Sequence, residues 1–206
     1  MDRRMIVLAL ALALALAVPA PGDAAVPAGH VSRREGVVHV LRAGVASPLA
    51  EGDPVFQGDR LRTGPGSKVR IECADGLVVV IGPATEVSVA DYFDGGEAGG
   101  LGLVLGLLEG IVRLARPVAR RAFRIDVRSR TAVASVRSTE WVVEARPAAG
   151  TGVLALVGRV EVEAYAGGIV ELDAGFGTDV APDQTPRLPA RWGEARRADV
   201  LRRTSF

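Results

Sequence analysis

The sequence predicts an all-β protein: a single β-solenoid-like or β-sandwich domain with glycine-rich turns, followed by a short C-terminal helix. Three observations carry that expectation. Short segments of alternating apolar and polar residues fill the chain from Val37 onward, and such alternation marks half-buried strands. Gly, Pro and Asp interrupt them at spacings of roughly 8 to 12 residues, the rhythm of all-β architectures. The segments are rich in Val, Ile and Thr, whose branching at Cβ suits a pleated surface.

The chain opens differently. Arg3 and Arg4 precede an apolar run from Ile6 to Val18, which Pro19, Pro21 and Gly22 end. This is the three-part plan of a secretory signal peptide, assigned to residues 1–24. Gly22-Asp23-Ala24 places small residues at the cleavage-critical positions, so cleavage is expected near Ala24; Ala20-Pro21-Gly22 offers a second cut. The run is shorter than the about 20 apolar residues of a comfortable membrane span, although a retained anchor is the alternative. No cysteine follows it, which argues against a lipid anchor. The expected product is periplasmic or secreted, with no stable span after cleavage. Residues 25–35 then read as a lead, 36–182 as the β domain and 183–206 as a basic, helical tail.

Within the domain, Gly36 leads Val37-Val38-His39-Val40, and Gly64-Pro65-Gly66-Ser67 separates Arg60–Thr63 from Val69–Cys73. Asp75-Gly76, between Val69–Cys73 and Leu77–Ile81, is a hairpin signal. Gly82-Pro83 closes the second of these strands. Phe123–Arg128 and Val160–Glu163 alternate cleanly. A weak repeat links Gly36-Val37-Val38-His39-Val40, Gly110-Ile111-Val112-Arg113-Leu114 and Gly158-Arg159-Val160-Glu161-Val162. A glycine entering a strand marks a sharp corner. Asp94–Gly102 reads as a glycine-rich loop without the pattern of a phosphate cradle. After Pro189, the residues Trp192, Ala195, Ala198 and Leu201 recur at helical spacing among Arg191, Arg196, Arg197, Arg202 and Arg203. That helix is expected to pack its apolar stripe on the body, with a partner or membrane surface as the alternative.

Composition narrows the chemistry. The 206 residues are 49% hydrophobic with a net charge of +1, so no bulk field favours nucleic acid or acidic lipid. Aromatics make up 4%, too few for stacking platforms. Cys73 is the single cysteine, which rules out an internal disulfide and reads as a small buried hydrophobe. His30, His39 and Cys73 lack metal-ligand spacing. No cofactor, metal or catalytic residue is expected, and the chain is read as a non-enzyme. Asp53 and Asp59, beside Gly52 and Gly58, are placed to hydrogen-bond turn backbone.

Several segments resemble one family. Glu51-Gly52-Asp53-Pro54-Val55 and Gly58-Asp59-Arg60-Leu61-Arg62-Thr63-Gly64 resemble the opening of a FecR domain, found in bacterial envelope signalling proteins. Ser67-Lys68-Val69-Arg70-Ile71, Asp75-Gly76-Leu77 and Gly82-Pro83 continue the order. Leu108-Glu109-Gly110-Ile111-Val112 is similar to the family's "L-x-x-G-x-V" strand. The run from Ser129 to Trp141 resembles its "T-P-x-A-x-x-x-V-R-G-T-x-F" segment, with Arg130 in place of the proline and Ser138 in place of the glycine. Val157–Val162 and Leu172–Gly175 complete it, so the resemblance spans Gly36 to Val180. It implies a β domain that binds proteins in the envelope. No counterpart of the cytoplasmic and receptor-docking parts of full-length sensors is expected here, so sigma-factor control is not carried over.

The expected function is therefore an envelope protein-binding module, in a signalling or assembly complex, able to take an extended partner by strand addition. Trp141 and Trp192 are the candidate partner-binding residues, as large apolar anchors. A structural scaffold, homo-oligomeric through its β edges, and a glycan or cell-wall binder are the alternatives.

Overall fold

The computed structural model describes residues 26–94, 100–116, 123–136 and 140–206. The segment assigned as an export signal lies outside the described residues, as do Ser138 and residues 95–99 of the glycine-rich run.

The first half of the chain supplies β1 (Pro27–Glu35), β2 (Val38–Arg42), β3 (Val45–Pro48), β4 (Pro54–Phe56), β5 (Arg60–Thr63), β6 (Lys68–Cys73), β7 (Val78–Ile81) and β8 (Glu86–Asp94). The longest strand is β9 (Leu101–Ala115). The second half adds β10 (Phe123–Arg128), β11 (Ala132–Val136), β12 (Glu140–Arg146), β13 (Gly150–Val157), β14 (Arg159–Ala164), β15 (Ile169–Asp173), β16 (Phe176–Val180) and β17 (Ala190–Arg191), and then helix α1 (Glu194–Arg203).

These strands form one hydrogen-bonded network laid out as two layers that share β9. One layer, in the order β4-β1-β6-β7-β9-β12-β13-β16-β17, carries α1 on its outer face. The other, β3-β2-β5-β8-β9-β10-β11-β14-β15, is the open layer. Leu101–Glu109 of β9 pair in the open layer, and Gly110–Ala115 pair in the helix-side layer. Inward-facing residues of both layers, such as Val31, Val69 and Ile71 on one side and Val40, Leu61 and Val87 on the other, form one core. Its cohesion is the period-2 alternation seen in the sequence, turned into burial.

The chain changes layer at glycine corners. The three glycines of the sequence repeat, Gly36, Gly110 and Gly158, have φ of +70°, +94° and +74°. At Gly110, a Cβ would also lie 2.2 Å from Thr85 Oγ1, so the bend in β9 requires glycine twice over. Threonines satisfy the backbone there. Ile111 N–H donates to Thr85 Oγ1 (2.9 Å), Thr85 N–H donates to Thr63 Oγ1 (3.0 Å), and the Thr63 hydroxyl donates to the Gly82 carbonyl (2.6 Å). Both threonines are buried, where unpaired polar groups would be costly.

The structure revises several boundaries. Residues 27–35, read as a lead, are strand β1, paired with β4 and β6. A register shift between Val31 and Arg33 breaks its alternation, which hid it. The 183–206 tail joins the fold through β17 and α1. Leu101 and Gly102 belong to β9 rather than to a loop. The Asp75-Gly76 hairpin is present, with β6 and β7 antiparallel around a 3-10 turn at Ala74–Gly76. Helix α1 packs on the body through only part of the expected stripe. Ala195 and Ala198 are exposed, while Trp192 and Val200 bury against Ile111, Val142 and Leu154. Among the described residues, no helix is long and apolar enough to cross a membrane.

Candidate functional site

Neither tryptophan offers an exposed anchor. Trp141 lies on β12 with 0% exposure inside the main core, and Trp192 is 8% exposed beneath α1. Their expected role as partner anchors is corrected to packing, because strand alternation points Trp141 inward and the helix covers Trp192. The seat of Trp192 is made of glycine. A Cβ on Gly177 would stand 2.5 Å from Trp192 Nε1, and one on Gly152 would stand 2.6 Å from an Arg196 nitrogen. Arg196 stacks over the indole at 3.4 Å and forks onto Asp179 with two bonds of 2.7 Å. Burial alone would raise the Asp179 carboxyl. The Arg196 hydrogen bond, with the charges of Arg196, Arg146 and Arg187, outweighs burial and holds it below the usual carboxylate range. Arg203 makes a second clasp, to Glu144. Arg196 and Arg203 thus tie the helix down.

Other sequence candidates are structural. Asp53 Oδ2 accepts Ala50 N–H (2.7 Å) and Asp59 Oδ2 accepts Phe56 N–H (2.9 Å), the expected turn bonds. Asp59 is buried and also takes the Arg42 fork. Ser129 anchors the strand entry that Arg130 leaves without proline, accepting from Ala132 N–H at 3.1 Å. His30 and His39 are exposed on β1 and β2, in different layers. Cys73 is half-buried as a residue, but its sulfur packs against the core, and burial pushes the thiol up to about 12.

A trough of about 410 Å³ on the helix-side layer is lined by Arg33, Arg70, Arg113, Val78 and Val80, among others. Each arginine faces a carboxylate: Glu35 at 3.8 Å, Glu72 at 3.3 Å and Glu140 in a short contact. Glu35 is shared with Lys68, which stands nearer at 3.1 Å.

The sheet edges are more informative. An open edge presents unpaired N–H and C=O groups to any extended chain. Among the described residues, three of the four edges are blunted. β3 ends in Pro48, β4 starts with Pro54, and β17 has two residues. β15 is the exception. It has five residues and no proline, and among the described residues it pairs with β14 alone. Ala164 N–H donates to the Gly168 carbonyl at 3.1 Å. Antiparallel ladders alternate bonded and non-bonded pairs, so the next bonded pairs are Val162 with Val170 and Val160 with Leu172. The backbone N–H and C=O of Ile169, Glu171 and Asp173 therefore point away from β14. The same three side chains lie on the outer face. Ile169 is 61% exposed, and Tyr165, at the turn, is 59% exposed. Around them β14 and β15 carry Glu161, Glu163, Glu171 and Asp173 against the single cation Arg159, which reaches both Glu171 and Asp173 at 3.0 Å. Sequence reasoning passed over this edge, since pairing order is not written in a single strand.

A family model described as "FecR protein" matches residues 59–161, half of the chain. The chain belongs to the FecR family. The matched span of the FecR domain runs from the Asp59 turn into β14 and includes the shared strand β9; β1, β15 and α1 fall outside it. Two crystal structures of a chain from Parabacteroides distasonis, provisionally described as an anti-sigma factor, share the fold. The TM-scores are 0.54 and 0.55, each at 16% identity and over 69% of the present chain. The match takes in 64% and 63% of those chains, under two thirds of their length. No curated protein matches the sequence.

Proposed function

We propose that this FecR-family chain is a non-enzymatic protein-binding module of the bacterial envelope, comparable to the periplasmic domain of FecR-type sensors and acting within a signalling or assembly complex. The observation that carries this reading is the open β15 edge, where three outward backbone pairs and the exposed Ile169 and Tyr165 lie together. Strand addition supplies affinity through main-chain hydrogen bonds and specificity through alternate side chains. The description of the fold relatives as an anti-sigma factor supports a protein partner. The signal-like residues 1–24 support an exported location.

A photo-crosslinking residue placed at Tyr165 or Ile169 in cells tests this. One dominant envelope protein captured at these positions, and not from a probe at His39 on β2, is the expected result. Capture from His39 alone would move the binding face to the other half of the open layer and reject the edge.

A further inference from the structure

We infer that the β15 edge takes an extended polypeptide segment that presents two basic side chains and one apolar side chain at alternate positions. The inference rests on reading β15 as the binding edge and adds the chemistry of what binds there.

The register writes the recognition pattern. Along the outer face, Ile169, Glu171 and Asp173 follow one another at every second residue, so an added strand faces them with its own residues i, i+2 and i+4. Glu171 and Asp173 have side chains 59% and 70% exposed, and Arg159 is their only cation among the strands β14 and β15. Directly opposed opposite charges favour pairing and like charges oppose it. The inner-facing neighbours are Val170, half-buried, and Leu172, buried, so the intervening partner residues cap the core and are apolar. An antiparallel guest therefore reads basic–apolar–basic–apolar–apolar, ending opposite Ile169.

The same charges exclude a second copy. An antiparallel self-pair centred on β15 would set Glu171 against its own copy and Asp173 against Ile169. Glu161 already stands opposite Glu171 on β14, so self-pairing would extend a row of carboxylates. A foreign basic strand relieves that row.

The test uses the exported chain and three labelled peptides, read by fluorescence anisotropy. One contains Lys-Val-Lys-Val-Ile. The second replaces both lysines with glutamate. The third keeps the first sequence but carries N-methyl groups on the amides that face β15. The first should bind about tenfold tighter than the second, and binding should weaken as salt rises from about 0.05 M to about 0.5 M. N-methylation should abolish it. Glu171→Pro removes an outward N–H without taking a bond from the β14 ladder, and should also abolish it. Glu171→Lys with Asp173→Lys should reverse the preference between the first two peptides. Equal binding of the two, no reversal in the double variant, or full binding after N-methylation would each overturn the inference, as would self-crosslinking from Ile169. If the Ile169 probe captures an envelope protein while the basic peptide shows no preference, the binding reading stands and this inference falls.

Discussion

Gly110 shows how one residue can fix an architecture. Its φ of +94° turns β9 from the open layer into the helix-side layer, and its missing side chain makes room for Thr85. Gly110→Ala forces both a left-handed alanine and an overlap with buried backbone. It should cost about 3 kcal/mol or more in chemical denaturation. Thr85→Val keeps the shape but removes the acceptor for Ile111 N–H, at about 1–3 kcal/mol. Cys73 is an expectation of the opposite kind, about inertness. With its thiol pushed up to about 12, the thiolate is nearly absent at neutral pH. Alkylation of the native protein at mildly alkaline pH should run about a thousandfold slower than in denaturant. Comparable rates would mean the sulfur is not held against the core.

The helix α1 is the element where sequence and structure part most clearly. The sequence reads Trp192, Ala195, Ala198 and Leu201 as the packing stripe, yet Ala195 and Ala198 are exposed. The true face is Trp192, Arg196, Val200 and Thr204, half of it polar. Pattern reading scores arginine as solvent-facing, whereas here Arg196 stacks on an indole and forks onto Asp179. The signal that could have found it is the spacing of Gly152 and Gly177, which form a seat only once β13 and β16 are paired. By contrast, the corner glycines, the β6–β7 hairpin and the turn aspartates were legible, because each depends on local backbone chemistry. β1 was not, since a bulge shifts its phase, and the β15 edge was not, since pairing order is a property of the whole chain. Asp179→Asn should loosen α1 by about 1–2 kcal/mol, seen as faster amide exchange over residues 194–203. The clasp is also pH-dependent. The folded Asp179 carboxyl titrates below its unfolded value. Its stabilisation is complete above the ordinary carboxylate range and fades as pH falls through that range towards the lowered value. Exchange in α1 should therefore rise in acid for the native chain, and much less for Asp179→Asn.

At the scale of the whole molecule, the two layers are treated unequally. The outer face of the helix-side layer is covered over its second half by α1 and lined over its first half by arginines with carboxylates beside them. The open layer has no such cover, and its last strand ends the sheet without proline or a pairing partner among the described residues. Family membership accounts for the span from the Asp59 turn into β14; the edge that would meet a partner lies just beyond it. Under the proposed reading, a partner would extend a sheet that already exists, with little rearrangement of the core.

The most direct test is residue-by-residue amide exchange along β15 in the free protein, followed by NMR. An open edge predicts alternation: Val170 and Leu172, bonded to β14, exchange slowly, while Ile169, Glu171 and Asp173 exchange at rates close to those of unstructured chain. Their protection on adding the Lys-Val-Lys-Val-Ile peptide would complete the case. Uniform protection of all five amides in the free protein would show that the edge is already covered, and would contradict its role as the binding surface.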